Sequence, residues 1–66
     1  MDYTLTHDKR IEAQTTRVLG ILTMAVLKKG YVTIEDIQKH IKISTPDLIE
    51  IRDALLANGT IEDYVP

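Results

Sequence analysis

Residues 33–58, TIEDIQKHIKISTPDLIEIRDALLAN, decide how this chain folds. Thr33 can accept a hydrogen bond from a free amide of a first helical turn. Asp36, three residues on, stands where an acidic or amide side chain reaches back to close a capping box. Ile34, Ile37 and Ile41 then recur at spacings of three and four, the period of one helix face, and predict a helix of about eight residues. Lys42 to Ser44 is a tight connection with Ile43 as a buried anchor. Thr45-Pro46 places a cap and a proline at the first two positions of another helix, where the missing proline N–H costs nothing. That helix buries Leu48, Ile51 or the stem of Arg52, Leu55 and Leu56. It ends at Asn58-Gly59, residues that tolerate the left-handed backbone at a helix C-terminus.

Upstream, a longer helix is expected over Asp8–Lys29. Thr6 or Asp8 can cap it, Asp8 and Glu12 suit its positive end, and Lys28 and Lys29 suit its negative end. Gly30 fits the left-handed position that follows. At 1.5 Å per residue this helix is about 33 Å long, and Gly20 in its interior costs about 1 kcal/mol relative to alanine. Residues 1–7 show no period and read as an arm. The remaining 8–66 form one domain. Downstream, Thr60 to Val65 is a terminal strand or extended tail. The expected fold is therefore mainly α, three helices, with at most a minimal hairpin pairing Tyr31-Val32 with Thr60-Tyr64.

Sixty-six residues allow one small core. Phe, Trp and Cys are absent, so the core is aliphatic and neither disulfides nor thiolate metal sites are available to staple it. A chain this short barely offsets its ordering entropy, which makes oligomerisation the expected stabiliser. Ile11, Val18, Leu22 and Ala25 share one face of the first helix. From Val18 onward the apolar residues spread around its circumference, and a helix apolar on most sides needs partners on more than one. Val18, Leu19, Ile21, Leu22, Met24, Ala25 and Leu27 are thus a candidate dimer or partner interface. The apolar stretch Val18 to Leu27 is far shorter than the roughly 20 residues that cross a bilayer. No membrane association is expected, and a cytoplasmic location is.

Charge is lopsided. Residues 1–42 hold seven Lys/Arg against five Asp/Glu, and residues 43–66 hold one against five. Lys28, Lys29, Lys39, His40 and Lys42, with Arg10 and Arg17 further off, form a candidate surface for nucleic acid or an acidic partner. Asp47, Glu50 and Asp53 form a candidate surface for a basic partner. These same carboxylates stand where a DNA-reading helix would present donors to phosphates and base edges, which argues against reading by that helix.

No catalytic arrangement emerges. Ser44, Thr45 and the histidines make no nucleophile–base pattern, and there is no phosphate loop or dinucleotide fingerprint. His7 and His40 are too few for a structural zinc site. The chain reads as a non-enzyme with no metal, no cofactor and no small-molecule substrate.

Leu27-Lys28-Lys29-Gly30, Val32-Thr33-Ile34-Glu35-Asp36-Ile37, Ile43-Ser44-Thr45-Pro46 and Leu55-Leu56-Ala57-Asn58-Gly59-Thr60-Ile61-Glu62 together resemble the winged-helix branch of helix-turn-helix proteins, over about two-thirds of the chain. The resemblance implies a wing strand after the third helix and a role in transcription. Val18-Leu19-Gly20, with the spacing to Thr45-Pro46-Asp47-Leu48-Ile49, is also similar to the small dimeric biofilm and acid-resistance regulators of enterobacteria. That likeness implies a helical dimer tied to transcription control. The expected function is a small homodimeric regulator acting mainly through protein contacts, in transcription or on a phage or host machine. The rival is a DNA-binding regulator or excisionase-like architectural factor using the basic surface.

Overall fold

A computed structural model describes all residues 1–66. It contains three helices and no strand: α1 (His7–Lys29), α2 (Ile34–His40) and α3 (Thr45–Ala57). Each boundary has a local chemical cause. Thr6 caps α1, its hydroxyl accepting from the Lys9 amide at 3.4 Å. Helix α1 thus begins at His7, inside what the sequence marks as an arm. It ends where Gly30 turns left-handed at φ 89° and donates its N–H to the Val26 carbonyl at 2.9 Å.

The capping box of α2 is complete. The Thr33 hydroxyl accepts from the Asp36 amide at 3.1 Å, and the Asp36 carboxylate accepts from the Thr33 amide at 3.0 Å. Two orphan donors are satisfied by one pair of side chains. At the start of α3 the cap is Ser44, whose hydroxyl accepts from the Asp47 amide at 3.3 Å. The expectation placed the cap at Thr45. The Thr45 hydroxyl instead accepts from the Gln38 side-chain amide at 3.1 Å, tying the end of α2 to the start of α3.

Helix α3 closes with paired reverse bonds. The Gly59 amide donates to the Leu56 carbonyl at 3.2 Å and the Thr60 amide to the Leu55 carbonyl at 3.0 Å, with Gly59 at φ 79°. This is the six-to-one and five-to-two pair that satisfies terminal carbonyls when one residue adopts the left-handed region. The chain then continues without helix or strand. The expected upper limit of one hairpin is not reached, and Tyr31 and Tyr64 meet by ring stacking instead, centroids 4.9 Å apart.

The core is six side chains: Val18 from α1, Ile37 from α2, Ile43 from the turn, and Leu48, Ile51 and Leu55 from α3. Ile43 is the anchor the sequence suggests. Leu56 is not in the core: it is 37% exposed, one residue past the inward position that Leu55 takes. Ile11, Leu19, Ile21, Val32, Ile34, Ile41 and Ile61 pack around the rim.

Two short helices lie against one that is 23 residues long, and the shape follows. The molecule measures 50 × 24 × 17 Å, with a radius of gyration of 12.7 Å against about 10.8 Å for a compact chain of this length. Its accessible surface is 5303 Å², where a folded monomer of this mass exposes about 4,200 Å².

So thin a core leaves little reserve. Leu48 and Ile51 are 1% exposed, and truncating either to alanine costs about 2–5 kcal/mol. Leu48→Ala is expected to lose its cooperative urea transition by circular dichroism, whereas Ala54→Ser on the exposed face of α3 keeps it.

Candidate interaction surface

The apolar belt of α1 is divided by its packing. Val18 is 2% exposed and belongs wholly to the core. Leu19 and Ile21 pack on the core rim, and Leu22 and Ala25 are half-buried. Only Met24 at 72% and Leu27 at 81% stand in solvent. Val18 therefore leaves the candidate interface, because α2 and α3 already cover its side of the helix. The outward face comprises Ala13, Thr16, Gly20, Thr23 and Leu27, all exposed. Hydrophobicity alone misses this face because four of the five residues are small. The seven-residue interval from Ala13 to Gly20 to Leu27 is the signal that finds it.

Beside that face runs an open groove between α1 and the end of α2. Ile21, Met24, Ala25 and Ile41 are among its apolar lining, and Arg17, Lys28 and His40 among its polar lining.

The five candidate basic residues separate into engaged and free groups. Lys29 is engaged: its ammonium lies 2.6 Å from the Asp36 carboxylate and 4.7 Å from the centre of the Tyr31 ring. The Tyr31 ring stacks in turn on Tyr64, fixing the C-terminal tail against the α1–α2 corner. His40 is engaged as well, its Nδ1–H donating to the Asp36 carbonyl at 2.8 Å, a bond that sets the tautomer. Lys28, Lys39 and Lys42 make no ion pair, and neither does Arg17.

The acidic candidates are all partnered within the chain. Arg10 reaches Asp47 at 3.5 Å, and His7 lies 3.1 Å from both oxygens of Glu50. Arg10 also donates to His7 Nδ1 at 3.1 Å, which leaves Nε2–H to donate to Glu50. Asp53 takes Arg52 at 3.0 Å. The charge asymmetry of the sequence is thus partly cancelled in space, because the first turns of α1 lie beside α3. Both histidines are held in these hydrogen bonds.

The Lys29–Asp36 pair shifts the titration of both its members. The hydrogen bond from Lys29, then the Thr33 backbone amide, hold the Asp36 carboxyl at about 2, below its ordinary 3.8. Lys29 is raised, chiefly by its hydrogen bond to Asp36. No helix is long and apolar enough to cross a membrane. Comparison with family models, curated proteins and solved structures finds no match to this chain.

The pH dependence follows from the sign of the shifts. A carboxyl lowered by folding stabilises the native state above its ordinary value and loses that contribution as pH falls through its folded value. Asp36 therefore contributes fully above about 4 and progressively less toward about 2. Lys29, raised on folding, contributes below its ordinary 10.5 and loses that contribution at higher pH. Asp36→Asn keeps a cap acceptor and removes the charge. Its melting temperature should lie below the wild type's at pH 7, and the gap should narrow as pH drops from 4 to 2.

Proposed function

We propose that this chain is a small homodimeric regulator that works mainly through protein contacts, in transcription control or on a phage or host machine. The observation that carries the reading is its surface. The single chain exposes 5303 Å², roughly 1,100 Å² above the amount expected for a compact monomer of its mass, and Met24 and Leu27 stand on its longest helix with nothing over them. Large apolar side chains left uncovered together on one helix are a mark of interaction sites. The three-helix order with a tight α2–α3 turn is consistent with a winged-helix-like domain reduced to its helices, acting in the cytoplasm. No residue set argues for catalysis.

Helix α3 supports protein rather than DNA contact. Its exposed Glu50 and Asp53 would repel phosphates, the largely covered Asp47 adds to the same acidic side, and their partners Arg10, His7 and Arg52 are occupied in pairing them. A second reading, DNA binding by another surface, is favoured by the four cations that lack partners: Arg17, Lys28, Lys39 and Lys42.

Sedimentation equilibrium at micromolar concentration should return twice the 7.5 kDa chain mass. Met24→Glu should return one chain mass with its helical spectrum retained, since Met24 is outside the core. A wild type that stays monomeric at hundreds of micromolar refutes the reading. Fluorescence anisotropy with a mixed-sequence duplex at low salt separates the alternatives. The protein-contact reading expects no salt-sensitive binding. Tight binding lost on Lys39→Glu with Lys42→Glu would establish the DNA reading instead.

A further inference from the structure

We propose that the second copy pairs with the first through the outward faces of α1, the two helices parallel and in register with Gly20 opposite Gly20. The proposal rests on the homodimer reading and adds its geometry. Ala13, Gly20 and Leu27 repeat at seven residues, with Thr16 and Thr23 at the intervening offset, which is the seam spacing of two helices that wrap each other. On the same wheel Val18 lies farthest from the seam, and it is the one α1 residue that the chain's own core buries. One side of α1 is thus used within the chain, and the opposite side is left for the partner.

The face is shaped for close approach. A side chain at Gly20 would meet nothing within 4 Å, so nothing inside the chain accounts for glycine there, at about 1 kcal/mol relative to alanine. The seam threonines have satisfied hydroxyls: Thr23 donates to the Leu19 carbonyl at 2.8 Å and Thr16 to the Glu12 carbonyl at 3.5 Å. Their methyl groups remain for packing.

Area and charge both point to a copy of this chain as the occupant. The whole chain, its terminal segments included, exposes roughly 1,100 Å² more than a compact monomer of its mass, enough to accommodate a standard interface of about 800 Å² on each partner. Glu12 and Arg17 flank the seam on opposite sides, five residues apart. In a parallel pair this is the offset at which a flanking residue of one helix meets the flanking residue of the other, so the two-fold axis creates two Glu12–Arg17 pairs between copies. Arg17 has no carboxylate partner within its own chain, and Glu12 has only an exposed Lys9 at 3.3 Å. An antiparallel pair loses this match, because it sets like flanks against each other.

The chain contains no cysteine, so introduced cysteines report the geometry directly. Gly20→Cys, Thr16→Cys and Thr23→Cys should each form a disulfide-linked dimer under mild oxidation, and Asp53→Cys on α3 should not. Glu12→Arg or Arg17→Glu alone should weaken dimerisation roughly fivefold or more by sedimentation, and the two together should restore it. Circular dichroism on each variant separates lost pairing from lost folding. If the wild type sediments as a dimer but none of the three seam cysteines cross-links, the α1 geometry falls while the homodimer stands. Cross-linking of Thr16→Cys only when mixed with Thr23→Cys makes the pair antiparallel and overturns the proposal. A monomeric wild type overturns both.

Discussion

The burial of Val18 against Leu48, Ile51, Leu55, Ile37 and Ile43 is the contact on which the rest of this molecule depends. It is the only place where all three helices and the α2–α3 turn share one dry cluster. The core holds no disulfide and no aromatic residue, so this aliphatic cluster is the main thing that seats the short helices on the long one. An aliphatic cluster of six side chains contributes about 1.5–3 kcal/mol per residue fully buried. That is small beside the backbone entropy of a chain this size, so every secondary device has weight.

Those devices sit at the helix ends. Thr6, Thr33 and Ser44 satisfy the first amides of the three helices, Gly30 and Gly59 permit the left-handed exits, and Gln38 ties α2 to Thr45. Ion pairs and a histidine–carboxylate hydrogen bond join the elements at two places. Lys29–Asp36 locks the α1–α2 corner, and Arg10–Asp47 with His7–Glu50 hold the start of α1 to α3. These contacts are partly exposed, so their individual contributions are modest. Their main effect is directional, since they fix which faces turn inward and leave the Ala13–Gly20–Leu27 face outward.

That outward face links fold to function. A 23-residue helix packed against partners of 7 and 13 residues cannot be covered on all sides by its own chain. The uncovered side is smooth at its centre, apolar at its end and flanked by one acid and one base. The same geometry draws attention away from α3, whose acidic side chains are already paired at home.

The sequence by itself determined the three helices and their ends, including the capping box at Thr33–Asp36, the stop at Gly59 and the anchor role of Ile43. Caps, left-handed glycines and apolar periods are local, each read within four residues. The one cap displaced moves from Thr45 to Ser44, and the Thr45 hydroxyl accepts instead from Gln38 seven residues away. What only the tertiary structure decided is which apolar and charged residues remain available. Val18 and Met24 look alike along the chain, and their fates differ because α2 and α3 lie on one side of α1 alone. Asp47 and Glu50 look like a free acidic surface until Arg10 and His7, some forty residues earlier, are brought beside them. Availability is a property of packing in three dimensions, and packing brings together residues whose separation along the chain gives no sign of it.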